Sequence, residues 1–229
     1  MREASRLVRE CAIQRLLEQG AIRVHAAACA LADEGVLLVG PPGSGKSTTL
    51  AQLLAAGADF VANDRVLVTS APEDRAVLGV PLAVRWSTDQ LNLFEHGAAF
   101  LASYDEVSQF RGTDQSAGFP KFELTPAEVR DITGRPLVPR APLRAVVLLE
   151  RGGSEPAALT EARATQAVGR LHREVLLEDP AFPAFFRTAG ATLHTPAPPI
   201  ESESSLRWLR LSGAVDDANA ADLIRTALG

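Results

Sequence analysis

The residues best suited to chemistry lie in two short stretches, G-P-P-G-S-G-K-S at 40–47 and N-D at 63–64, the second beginning 17 positions after Lys46. The first matches G-x-x-x-x-G-K-[ST] at every fixed position. Gly40, Gly43 and Gly45 allow successive backbone N–H groups to turn inward around an anion, and Ser44 and Thr48 complete the expected nucleotide-binding set. The start of the following helix adds partial positive charge, Lys46 would reach terminal phosphates, and Ser47 would offer its hydroxyl to Mg²⁺. Asp64 could add a carboxylate that holds Mg²⁺ directly or through water, or that takes the proton of an attacking hydroxyl. The competing reading of Asn63 and Asp64 is a polar turn between strands.

Such a loop needs a strand before it and a helix after it, and both are legible. Residues 36–39 are almost wholly aliphatic, as a buried strand should be, and residues 22–31 read as a strand that joins them through a D-E-G turn. Residues 47–56 form a helix stopped by Gly57, and 60–62 form the next short strand. A helix of this length runs ~18 Å and a short strand returns a similar ~17 Å. If 60–62 runs parallel to 36–39, Asp64 therefore comes back beside the phosphates, at the strand ends where α/β ligands gather.

Elsewhere, residues 4–19 place Leu7, Val8, Cys11, Leu16 and Leu17 near one face of a helix that ends at Gly20. The expected organisation is this amphipathic helix (1–20) and one domain (21–229). Strands are expected at 66–69 and 76–84, and substrate-facing loops over 85–120. T-P-A-E at 125–128 predicts a capping box and a helix that stops by Gly134. A strand at 143–149, a helix at 160–178, a proline-rich connection at 180–199, a strand at 206–211 with Trp208 and a helix at 218–228 capped by Asp216 and Asp217 follow. Phe182, Phe185 and Phe186 suggest core or interface packing, whereas Asp89, Asp105, Asp114 and Glu123 read as surface carboxylates.

Composition narrows the partners. A net charge of -5 and a pI near 5.4 argue against nucleic acid, which is bound by basic stripes. No apolar run approaches the ~18 residues of a membrane span, and the charged N-terminus does not read as a signal peptide, so a soluble cytoplasmic protein is expected. Cys11 and Cys29 have no metal-ligand spacing and are expected to be buried free thiols. Of the basic residues 21 are arginine and only Lys46 and Lys121 are lysine, so Lys46 suggests a positional demand, while for Lys121 chance is the competing reading. Lys121 and Arg111 flank a glycine-bearing segment and could close over a transferring phosphate, or be solvated loop charges.

The run from Val24 to Thr69, in which V-H-A-A-A-C-A-L-A-D-E-G-V-L-L-V feeds G-P-P-G-S-G-K-S and ends in F-V-A-N-D-R-V, resembles the core of the HPr kinase/phosphorylase family and its small relatives. That family shares its fold with phosphoenolpyruvate carboxykinases. The likeness implies an α/β fold, a P-loop mixed sheet with flanking helices, and an ATP- and Mg²⁺-dependent kinase acting on a serine hydroxyl of a peptide or small protein. It assigns Lys46 and Ser47 to phosphate and metal, places His25 near the reacting phosphate and puts Asp64 at the second acidic position. The expected catalytic set is thus Asp64, His25 and Lys46, with Ser47 and Asp64 on the metal. Asn63 stands where the family's first acidic residue is found, and an amide cannot act as a general base. A small-molecule kinase and a nucleotide-binding regulatory or scaffold subunit remain the alternatives, and a homo-oligomer is compatible with either.

Overall fold

The computed structural model describes residues 2–69, 71–80, 82–107, 121–150, 155–175, 206–214 and 219–229, the side chains of 2–7, 72 and 105–107 excepted. The described elements begin with helix α1 (Arg2–Glu18), strands β1 (Ile22–Val24), β2 (Ala26–Leu31) and β3 (Glu34–Val39), helix α2 (Lys46–Ala55) and strands β4 (Asp59–Ala62), β5 (Val66–Val68), β6 (Ala76–Gly79) and β7 (Val84–Ser87). Helices α3 (Thr88–Leu91) and α4 (Gly97–Val107), strand β8 (Lys121–Leu124), helix α5 (Pro126–Thr133) and strands β9 (Arg140–Leu149) and β10 (Ala158–Glu161) come next. Helix α6 (Ala164–Arg173), strand β11 (Arg207–Ser212) and helix α7 (Asn219–Leu228) complete them.

Alternation along the central strands builds the mixed α/β architecture. Val36, Leu38, Val147 and Leu149 face one core with Leu50, Leu53 and Leu54 of α2 and Ile224 of α7. Their neighbours Leu37, Val39, Val146 and Leu148 face the opposite core, with Ala167 and Leu171 of α6 and with Trp208. Burying such a leucine or valine is worth about 1.5–3 kcal/mol, so both layers of helices are held by the same strands. The large sheet runs β1-β5-β6-β9-β3-β2-β4, with β11 beside β9 and β10 beside β11. Strand β9 joins its two halves, pairing antiparallel with β6 through residues 140–142 and parallel with β3 and β11 further on. Because β2 is antiparallel to both β3 and β4, β4 runs in the direction of β3 with β2 between them. The carboxyl ends of β3, β4 and β9 consequently share one edge of the sheet.

Several expectations change. Residues 22–31 are two strands, broken at His25, because β1 pairs with β5 while β2 pairs with β3 and β4. The 85–120 stretch holds β7, α3 and α4, with Ser87 and Gln90 forming the capping box that starts α3. Its aromatic residues form a packed layer: Trp86 stacks on Phe94 at 5.6 Å, and Tyr104 meets Phe122 edge-on at 4.8 Å. Residues 160 and 161 of the expected helix belong instead to β10, which pairs with β11, so α6 begins only at Ala164. On α1 the buried face is Glu10 and Ile13, with Leu16 and Leu17 beside them, whereas Val8 is 69% exposed. Glu10 turns that face inward towards Arg23 of β1, 4.0 Å away. Cys11 is exposed; only Cys29 is buried, and burial, helped by Asp59, pushes its thiol pKa up to about 12. The capping box of Thr125 and Glu128 forms, and Gly134 ends α5 in the left-handed conformation. Among the described residues no helix is long and apolar enough to cross a membrane. Arg111, Asp114, Phe182, Phe185, Phe186, Asp216, Asp217, the 180–199 connection and the side chains of Leu7 and Asp105 lie outside the described residues.

Candidate functional site

At the end of β3 the chain must turn sharply into α2, and its glycines make this possible. A side chain at Gly40 would bring its Cβ within 2.5 Å of Ser44 Oγ and 2.7 Å of the Leu149 carbonyl, so the loop closes tightly only on glycine. Gly43 and Gly45 have φ of 77° and 91°, in the left-handed region. Gly45 is the N-cap of α2, and no acidic residue stands in the first turn to neutralise that helix end. Ser44 is 1% exposed, and its buried hydroxyl has no hydrogen-bond partner among the described residues. Lys46, 8% exposed, donates from Nζ to the carbonyls of Gly40 at 2.6 Å and Pro41 at 3.2 Å, which folds its cation over the loop. Burial lowers the pKa of Lys46 from its usual value, against the opposing pull of the nearby Glu174 and Asp64 carboxylates.

The return strand β4 delivers Asn63 and Asp64 to the same edge, and the two side chains diverge. Ser47 donates its hydroxyl hydrogen bond to Asn63 Oδ1 at 3.0 Å. Asp64 instead faces His25, with Oδ1 3.4 Å from the ring Nε2. The N-D pair is also the turn from β4 into β5, and Asp64 takes a φ of 73°, a conformation that aspartate tolerates better than most residues. His25 Nδ1 lies 3.2 Å from Glu174 Oε2, and the His25 backbone N–H donates to the Glu174 carbonyl at 2.8 Å. An imidazole thus bridges two carboxylates, one beside the loop and one at the end of α6. Its hydrogen bond with His25 is the main reason the Asp64 carboxyl is held below its ordinary pKa. Burial opposes this, and the charges of His25, Arg65 and Lys46 reinforce it.

The structure brings Lys46, Ser47, His25 and Asp64 to one edge, and it seats Asn63, rather than Asp64, against the Ser47 hydroxyl. Two further residues join them. Glu174 is 149 positions from His25 in sequence, and no spacing rule connects them. Gln90, the last residue of the S-T-D-Q capping box, donates from Nε2 to Thr48 Oγ1 at 3.1 Å and so ties α3 to the start of α2. Lys121 stands opposite Ser87 in the small β7–β8 sheet, one strand from that contact, and has no side-chain partner among the described residues.

Comparison with protein families and with curated proteins finds no match. Among solved structures, the HPr(Ser) kinase/phosphatase from Coxiella burnetii aligns with a TM-score of 0.34 and 12% identity over 55% of this chain. The match spans 63% of that protein's chain, and a likeness this slight adds nothing to the geometry above.

Proposed function

We propose that the chain is an ATP-dependent phosphotransferase that passes the γ-phosphoryl group to a hydroxyl, with a serine of a peptide or small protein as acceptor. The observation that carries the reading is convergence: a glycine-rich loop with a buried lysine shares one sheet edge with a carboxylate held on a histidine. In it the backbone N–H groups of 43–48 and the α2 terminus bind the β- and γ-phosphates, and Lys46 exchanges its two loop carbonyls for phosphate oxygens. The oxygens of Ser47, Asn63 and Asp64 are hard donors of the kind Mg²⁺ takes, and they would hold it beside the phosphates. When bound, Mg²⁺ would neutralise charge on the β- and γ-oxygens.

Asp64 is placed to receive the proton of the attacking hydroxyl while that oxygen bonds to the γ-phosphorus and the bond to ADP breaks. Asp64 is ionised at neutral pH, and the His25 contact that lowers its pKa further holds it in that form at some cost in basicity. His25, steadied by Glu174, fixes where the Asp64 carboxylate points. The test is transfer of labelled γ-phosphate to a serine peptide, with Asp64→Asn as the arm expected to bind ATP and to transfer roughly 10²- to 10⁴-fold more slowly. Full activity in that variant would remove Asp64 from the mechanism.

A second reading, a regulatory nucleotide-binding subunit, draws on Asn63, whose neutral amide occupies the place against Ser47. Asn63→Asp adds a charge there. A wild type inert to every acceptor, together with a variant that gains transfer, would favour this reading.

A further inference from the structure

Helix α6 and its N-cap carry three arginines that nothing among the described residues neutralises. Arg163, Arg170 and Arg173 have no hydrogen bond or ion pair among the described residues, whereas every other arginine whose side chain is described has an interaction partner. The acidic residues flanking the helix are committed elsewhere, Glu161 towards Arg207 at 3.5 Å and Glu174 to His25. At 100° per residue the three arginines fall within roughly 80° of arc, clear of the face that buries Ala167 and Leu171. The helix dipole accounts for Arg170 and Arg173, which lie in the last turn. It cannot account for Arg163, which is the N-cap, where a cation is unfavourable and where the side chain makes no capping hydrogen bond. An uncompensated cation at that end is what an anionic ligand along the helix would require.

The direction of α6 identifies the ligand. The helix ends at Glu174, whose carbonyl and carboxylate both hold His25, so the arginine stripe leads into the proposed reaction centre. From Arg163 to Arg173 is ~15 Å of helix, the span of about four or five extended residues. We propose that α6 is the docking surface for the acceptor, and that the acceptor is an acidic peptide segment whose carboxylates pair with Arg163, Arg170 and Arg173 while its hydroxyl residue lies at Asp64. Only the identification of that segment as the acceptor rests on the phosphotransferase reading; the anionic docking surface stands on α6 alone. In a chain of net charge -5 a local cationic track also selects for its partner, since acidic segments are repelled elsewhere.

The test measures binding apart from transfer. A fluorescein-labelled 12-residue peptide with one serine among glutamates and aspartates is titrated with the full chain by anisotropy, beside its glutamine/asparagine counterpart and a single-stranded DNA of equal charge. The acidic peptide should bind at least about tenfold tighter than the neutral one, and more weakly as salt rises. The Arg163→Ala/Arg170→Ala/Arg173→Ala variant should lose about tenfold or more in that affinity and keep its full thermal stabilisation by ATP. Equal binding by wild type and triple variant, equal binding of neutral and acidic peptides, tighter arginine-dependent binding of the DNA, or loss of ATP stabilisation in the variant would each overturn the assignment. Arginine-dependent peptide binding without phosphoryl transfer would leave the α6 surface standing and count against the phosphotransferase reading.

Discussion

Strand β3 has a turn at each end, and the two turns solve the same steric problem for different purposes. At its start Ala32 and Asp33 adopt φ of 47° and 66° between the paired residues Leu31 and Glu34, a two-residue hairpin in the left-handed region. Both are exposed and answer only to the geometry of the hairpin. At its end the chain uses glycine for the left-handed positions, packs Gly40 against Ser44 and Leu149, and buries a lysine and a serine hydroxyl that has no partner among the described residues. Asp64 completes that edge with the same kind of φ as Ala32, yet it is tied to His25. Irregular backbone in an exposed hairpin is local geometry; irregular backbone that gathers buried polar groups from distant elements is the mark of a site.

The sharpest way to break this contrast is to remove the groups that only the site end possesses. Lys46→Ala should lower phosphoryl transfer by roughly a thousandfold and abolish the thermal stabilisation that ATP provides, because the loop amides alone would face the terminal phosphate charge. Asp64→Asn should lower transfer by roughly 10²- to 10⁴-fold and leave ATP stabilisation intact. Transfer assays paired with melting curves separate the two, and the same losses from a substitution at Asp33 would erase the distinction between the turns.

Glu174 sharpens the comparison, since the site end recruits a residue from another helix and the hairpin end recruits none. Its carboxylate favours the Lys46 cation, which burial disfavours. Glu174→Gln removes that support, so Lys46 should lose its proton at lower pH and the alkaline limb of ATP binding should move down the pH scale. Transfer at neutral pH should fall roughly tenfold as His25 loses its anchor. An unmoved alkaline limb would show that Glu174 does not act on Lys46.

The two ends also differed in how well the sequence disclosed them. The loop, α2 and its stop at Gly57 were legible because each is written in consecutive residues: a glycine spacing, an apolar repeat and a left-handed stop at φ 105°. The position of Asp64 followed from the lengths of α2 and β4. Glu174 was not legible, because its place depends on α6 packing against the far face of the sheet. The break at His25 was hidden for a related reason: I-R-V-H-A-A-A-C-A-L contains no glycine or proline, and only the different partners of β1 and β2 divide it. In 85–120, small and polar residues masked the burial of Trp86, Phe94 and Tyr104, and the S-T-D-Q cap was the overlooked local signal.

Acid titration probes the contrast with a smaller effect. The Asp64 pKa is held below the ordinary 3.8, chiefly through His25. A carboxyl depressed on folding contributes stability that is fully present above its unfolded pKa and is lost as pH falls through the folded value. Wild type should therefore lose this contribution below about pH 4, and His25→Asn should remove much of it. Urea midpoints at pH 6 and pH 3 check this: the gap between wild type and variant should narrow at the lower pH, and a gap that widens would reverse the sign.

The smallest effect belongs to the hairpin, where improving the turn should change stability alone. Ala32→Asn with Asp33→Gly writes the N-G pair that a two-residue turn with both φ positive favours. Neither native side chain makes a hydrogen bond or ion pair among the described residues, so little is lost, and relief of the left-handed strain should raise stability by about 0.5–1 kcal/mol. ATP stabilisation and transfer should not move, because the turn lies at the opposite end of β3 from Lys46. The corresponding change at Asp64, Asp64→Gly, relieves the same kind of φ but discards the partner of His25, so its gain in melting temperature should be smaller and its transfer should vanish. Equal gains at both turns would mean that the His25 contact contributes nothing to holding Asp64 in its conformation.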